Sequence, residues 1–182
     1  MGKRAKTALR KIIKIDLPVH QQKEYLRLWT SRNDLEKARA FGKHILKKRL
    51  HQGHIRSKGA YFQSEAFATA LITSYARAFN EPKNWESKLL SFVSPTREQL
   101  ELHELILKAR NQLFAHSDLR NYKVTPGRLG HIRMETVESK YFDFDCDQVT
   151  RLELFIIRLH GAINLRMANI VDVAWLKSQP AQ

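Results

Sequence analysis

At 182 residues, one domain is expected, long enough to bury roughly two-thirds of the surface of the unfolded chain. Hydrophobic residues make up 43%, with three Trp, five Tyr and nine Phe, which argues against wholesale disorder; seven Gly and five Pro are too few for a collagen-like or linker-dominated chain. The single cysteine, Cys146, forms no internal disulfide and excludes a cysteine-rich zinc module. No apolar run approaches 18 residues, and the Lys/Arg-rich start lacks a signal-peptide core, so a soluble cytoplasmic protein with no membrane partner is expected.

The net charge of +14 is unevenly placed. Residues 1–60 hold 17 Lys/Arg against 4 Asp/Glu, while residues 61–182 are close to balanced. One cluster runs through Lys3, Arg4, Lys6, Arg10, Lys11 and Lys14. A second comprises Lys43, Lys47, Lys48 and Arg49, with Arg56 and Lys58 beyond it. Such clusters attract polyanions because each neutralised phosphate releases condensed counterions. The plainer reading is a solvated basic face. Residues 1–16 read as a basic, mobile tail and 17–182 as a single helical domain.

In chain order, apolar spacing is helical almost throughout. From about His20 to His51, Leu28, Leu35, Ala38, Phe41 and Ile45 recur at helical steps and predict one or two amphipathic helices. The broad apolar arc of Ala60–Phe79 predicts a largely buried central helix, ended by Asn80-Glu81-Pro82. A short helix is predicted over about 83–92. Ser94-Pro95 is expected to cap the next helix, with Leu102, Leu105, Ile106, Ala109 and Leu113 as its stripe and its end near His116. Residues 119–130 read as loop. Alternation at Ile132, Met134 and Thr136, then at Phe142, Phe144 and Cys146, predicts a small β-hairpin turning at Glu138-Ser139-Lys140. Asp145 or Asp147 is then expected to cap a last helix reaching about Leu176. The fold class expected is all-α: four long helices, a short extra helix, and a hairpin before the last helix.

The sequence lacks a glycine-rich phosphate loop, a Gly-x-Ser-x-Gly elbow and a His-Glu-x-x-His zinc helix, although His103-Glu104 begins like one. His44, His51 and His54 lack a carboxylate or cysteine to complete a metal shell, so neither metal nor cofactor is expected. One segment stands apart: Lys108-Ala109-Arg110-Asn111-Gln112-Leu113-Phe114-Ala115-His116-Ser117-Asp118. It gathers a permanent cation, an amide and an imidazole within seven residues. On a continuous helix His116 would share the stripe of Leu102, Ala109 and Leu113, with Arg110 about 120° away. A core histidine and an arginine in a structural ion pair would explain both residues without chemistry.

The string Arg110-Asn111-x-x-x-Ala115-His116 resembles the Arg-x(4–6)-His motif of the HEPN superfamily of small α-helical proteins, many of them metal-independent ribonucleases. The helix carrying Ser74-Tyr75-Ala76-Arg77-Ala78-Phe79 looks like its bundle partner in that family, and the likeness extends over roughly residues 20–176. The resemblance implies a HEPN-type endoribonuclease, a toxin or antiphage element, that leaves cyclic phosphate ends. His116 would then be the acid–base group, Arg110 the phosphate clamp, Asn111 an orienting partner, and Asp118 a partner of either Arg110 or His116. The chemistry suits these residue types: histidine exchanges protons near neutral pH, and arginine offers a planar fork to two phosphate oxygens. For the two side chains to converge, either the helix distorts near Phe114 or a homodimer shares one composite cleft, as the family implies. RNA is the expected partner, held by Lys43, Lys47, Lys48, Arg49, Arg56 and Lys58, and an antitoxin protein is a further one. Two other functions compete: a catalytically silent nucleic-acid- or ribosome-binding module, and a helical protein-interaction module. The presence of both Arg110 and His116 favours the enzyme.

Overall fold

The computed structural model describes residues 15–51, 58–80, 84–114, 122–129, 131–139 and 144–177. The chain is mostly helical. Helices α1 (Val19–Lys47), α2 (Lys58–Phe79), α3 (Trp85–Ser91) and α4 (Arg97–Phe114) precede strands β1 (Tyr122–Leu129) and β2 (Ile132–Ser139), and α5 (Cys146–Lys177) closes the chain. The predicted first segment is therefore one continuous helix, beginning behind Pro18.

Helix α1 packs along both α2 and α5, and the core forms where these three meet. Leu28, Leu35, Ala38 and Ile45 of α1 face Leu71, Ile72, Tyr75 and Ala78 of α2. On α5, Val149, Leu152, Phe155, Ile156, Leu159, Ile163, Met167, Ile170 and Ala174 are buried, a stripe repeating every three or four residues. Gly42 marks the closest approach: a Cβ there would lie 3.4 Å from Leu71 Cδ1 and 3.5 Å from Val149 Cγ1. One level of the bundle thus joins residues 42, 71 and 149.

Polar side chains fix the helices relative to one another. Ser31 Oγ donates to the Ala78 carbonyl at 2.7 Å and accepts from Trp85 Nε1 at 3.0 Å, tying α1 to α2 and α3. Arg77 of α2 reaches Asp34 of α1 at 2.8 Å. Glu24 of α1 binds Arg166 of α5 and Lys88 of α3, both at 3.0 Å. The Arg166 hydrogen bond, joined by Lys88 and opposed by partial burial, holds the Glu24 carboxyl below its ordinary range. This contribution to stability is present above that range and is lost as acid protonates Glu24.

Two helix starts use reciprocal capping. At α5, Asp145 Oδ1 accepts from Gln148 N at 2.7 Å, and Gln148 Oε1 accepts from Asp145 N at 3.1 Å, matching the expected cap. At α4 the cap lies two residues later than expected: Thr96 Oγ1 accepts from Gln99 N, and Gln99 Oε1 accepts from Thr96 N. Ser94 instead adopts φ 44°, a left-handed turn before the helix.

The hairpin differs more. Among the described residues no strand pairing turns at 138–140; Lys140 and Phe142 of the expected hairpin lie outside them. Instead β1, drawn from the segment read as loop, pairs antiparallel with β2 from Tyr122↔Ser139 to Leu129↔Ile132. The connection is therefore two residues long, a favoured hairpin length. Pro126, which argued for a loop, faces Glu135 within the ladder. A two-stranded ribbon has only edge strands, so a residue without N–H need not interrupt any pairing beyond them. Of the residues expected in the second strand, Cys146 instead opens α5 and Phe144 is buried in the helical core.

By length and composition α5 is the one helix, among the described residues, apolar enough to cross a bilayer; nine of its side chains are buried in the bundle. Its inner and outer faces predict different tolerance. Leu159→Ala should destabilise by about 2–5 kcal/mol in denaturant unfolding, the usual cost of deleting a buried leucine. Leu154→Ala, on the outer face at 57% exposure, should cost well under that. Equal losses at both positions would contradict this assignment of faces.

Candidate functional site

Helix α4 carries the motif, and three contacts set its course. The chain leaves α2 at Phe79, passes through α3 and returns along α2, so that Tyr75, near the end of α2, meets His103, in the second turn of α4. Gln99 accepts from Arg158 of α5 at 2.7 Å, and Glu98 pairs with Arg151 at 3.6 Å. With α2 and α4 antiparallel, the second half of α4 descends beside the first half of α2. The end of α1 lies at that same level, since Ser64 Oγ of α2 donates to the Leu50 carbonyl at 2.8 Å. Helix α5 begins there as well, because Gly42 lies against Val149. Arg110 and the end of α1 therefore share one end of the bundle.

Arg110 is half-buried on α4, and its Nη1 donates to Asn111 Oδ1 at 3.1 Å. The adjacent amide thus orients the guanidinium, leaving the carboxamide of Asn111 exposed. His116 and Asp118 lie outside the described residues. The described part of α4 runs to Phe114, so the helical angle predicted between Arg110 and His116 also lies outside the described residues.

The cations at the end of α1 differ from one another. Lys43 is drawn toward Glu153 of α5 at 3.7 Å, which also binds Arg39 at 3.2 Å. Lys47, Lys48 and Arg49 are all exposed and make no ion pair with the described residues. Arg49 adopts φ 54°, turning the chain sharply so that Leu50 returns to the core while the cations stay outside. Lys58 opens α2, and Arg56 lies outside the described residues. By contrast, the shallow groove between α4 and α5 is lined by Glu98, Glu101, Leu105, Gln148 and Arg151, and its two carboxylates would repel phosphate.

The polar group that sequence reasoning missed is His103. It is 1% exposed, and its Nδ1 lies 2.9 Å from Tyr75 Oη while its Nε2 lies 3.0 Å from Glu86 Oε1. A carboxylate only accepts, so neutral His103 donates from Nε2 to Glu86 and accepts the tyrosine proton at Nδ1. Phe79 closes over the imidazole, its centroid 4.6 Å away. Tyr75 and His103 are buried and the Glu86 side chain is 47% exposed, so the chain Tyr75–His103–Glu86 ties α2, α3 and α4 together from the core to the surface. Only the partial match to a zinc helix marked His103 in the sequence, and no cluster suited to a metal occurs among the described residues.

No protein-family model, curated protein or solved structure matches the chain.

The Tyr75–His103–Glu86 chain yields a stability prediction. Burial, reinforced by the negative charge of Glu86, raises the Tyr75 hydroxyl well above its ordinary value of 10.0. Stability from this group is complete below pH 10 and is lost as pH climbs toward the raised value. Tyr75→Phe leaves His103 Nδ1 unpaired and should cost about 1–3 kcal/mol near neutrality in urea unfolding. It should also remove part of the alkaline loss, whereas a wild-type stability curve at neutral pH would refute the role given to this hydroxyl.

Proposed function

We propose that the chain is a metal-independent endoribonuclease of HEPN type, acting in the cytoplasm on RNA held at the Arg110 end of the bundle. The observation that supports this most is a juxtaposition. Arg110, with Asn111 at its side, shares one end of the helical bundle with Lys47, Lys48 and Arg49. Those three cations form no ion pairs among the described residues, so they remain available to phosphates. Arg110 would bind the oxygens of the scissile phosphate, and its permanent charge would stabilise the added negative charge as the phosphorus becomes five-coordinate. His116 would accept the ribose 2′-hydroxyl proton in the cleavage step. The 2′-oxygen attacks phosphorus, the 5′-oxygen leaves and takes a proton, and a 2′,3′-cyclic phosphate remains. A role as a toxin or antiphage element, restrained by an antitoxin protein, belongs to the same reading.

The second reading is a silent RNA-binding module, favoured by the same three cations, which would attract a polyanion whether or not cleavage follows. Cleavage in EDTA separates the two. The ribonuclease reading expects cyclic phosphate ends, with Arg110→Ala and His116→Ala each lowering the rate about a hundredfold or more. Unchanged cleavage in either variant would remove that residue from the mechanism. RNA binding without turnover would select the silent module. A homodimer sharing its sites between copies would reveal itself by cleavage regained when the two inactive variants are mixed.

Replacing Lys47, Lys48 and Arg49 with alanine should weaken RNA binding and flatten its dependence on salt while sparing the rate at saturating RNA. An affinity unchanged between about 50 and 200 mM salt would refute the electrostatic account.

A further inference from the structure

The large apolar side chains exposed elsewhere on the described bundle are mainly aliphatic, but the start of α2 exposes rings. Phe62 is 63% exposed, the most of any described aromatic side chain, and Tyr61 beside it is 44% exposed. The two rings lie edge to face, their centroids 5.8 Å apart at 69°. From Lys58 to Ala70 the helix holds no leucine, isoleucine, valine or methionine, and Glu65 is its one carboxylate there. Further along, Phe67 is held inward, stacked on His44 at 4.0 Å and tilted against Phe41 at 6.1 Å.

Helical position places the pair. Tyr61 precedes Phe79 by eighteen residues, about five full turns, so both stand on one line of α2. Arg110 follows His103 by seven residues, about two turns, on one line of α4. The rings of Phe79 and Tyr75 meet that of His103, with centroids 4.6 and 5.7 Å away. The seam opened by these contacts therefore leads along α4 to Arg110 and along α2 to Tyr61, about 10–15 Å beyond the level of Arg110. Phe62 stands about 100° further round α2. The end of α1 closes on the same stretch, because Ser64 donates to the carbonyl of Leu50, the residue after Lys47, Lys48 and Arg49.

We propose that Tyr61 and Phe62 are a stacking site for unpaired bases of an RNA strand whose phosphates bind Lys47, Lys48 and Arg49. The site rests on the proposed RNA reading of this end of the bundle and does not require cleavage. Every base has a π-face, so exposed rings hold a single strand with little regard to sequence. In a duplex the bases are stacked on one another and turned inward, so the rings select unpaired RNA, which phosphate contacts alone do not. Composition favours this occupant over a protein. A helix that docks on a protein through an apolar face presents aliphatic side chains beside its rings, and this stretch has none larger than alanine. Three exposed cations without an ion pair to a described residue stand at the same end, which suits a polyanion.

The test measures binding by the full chain to three probes: a single strand with methylated 2′-hydroxyls, which is not cleaved, the same strand in a duplex, and an abasic strand of equal phosphate number. The wild type should hold the single strand about tenfold more tightly than the abasic one, the scale of one stacked base. Phe62→Leu, which keeps apolar bulk without the ring, should remove most of that advantage at unchanged helicity and unchanged salt slope. Phe62→Trp should restore it, and duplex affinity should respond to neither substitution. Equal affinity of the wild type for the single and abasic strands would overturn the stacking site while leaving RNA binding in place. So would a Phe62→Leu chain that binds the single strand as the wild type does, or one that loses as much affinity for the duplex. Self-association abolished by Phe62→Leu with RNA affinity unchanged would give the rings to a protein contact and equally overturn it. A wild type that binds none of the three probes would overturn both this site and the RNA reading beneath it.

Discussion

The architecture depends on how α4 is held, because α4 carries Arg110 and packs less extensively than α1, α2 or α5. Among the described positions of its expected stripe, Leu102, Ile106 and Ala109 are buried and Leu105 is 43% exposed. The missing hold comes from His103, which accepts from α2 through one ring nitrogen and donates to α3 through the other. Two directional bonds in a buried setting specify both the height and the rotation of α4, which apolar contact alone would leave loose. With that position set, the second half of α4 runs to the end of the bundle at which α1 also ends.

Charge then distinguishes the two ends. Acidic residues on α1 and α5 are largely committed to internal pairs: Glu24 with Arg166 and Lys88, Asp34 with Arg77, Glu153 with Arg39 and Lys43. These pairs use up carboxylates that would otherwise offset the cations at the end of α1. Lys47, Lys48 and Arg49 consequently stand exposed at that end without an ion pair to a described residue, and the turn at Arg49 lies among them.

Much of the helical frame was legible in the sequence because helical burial is a local, periodic signal. The α5 stripe from Val149 to Ala174 and the cap at Asp145 follow directly from residue spacing. His103 was not legible as a structural centre, since its partners lie 28 and 17 residues away and only the tertiary fold brings them together. The hairpin was displaced because Pro126 and Gly127 are strong loop signals, and an isolated ribbon can hold a proline that an interior strand could not. At α4, Ser94 and Thr96 are both plausible caps; Gln99, three residues after Thr96, decides between them by completing the reciprocal pair.

The central claim is that phosphate binds at the end of the bundle that Arg110 shares with the end of α1. Its most direct measurement is an NMR titration of the full chain with a short single-stranded RNA whose 2′-hydroxyls are methylated, so that it binds without being cleaved. The account predicts that the Arg110 Nε–H resonance and the backbone amides of Lys47, Lys48 and Arg49 shift together, with one affinity that weakens as salt rises. Shifts confined to the α3 end of the bundle or to the groove between α4 and α5, with Arg110 unmoved, would contradict it.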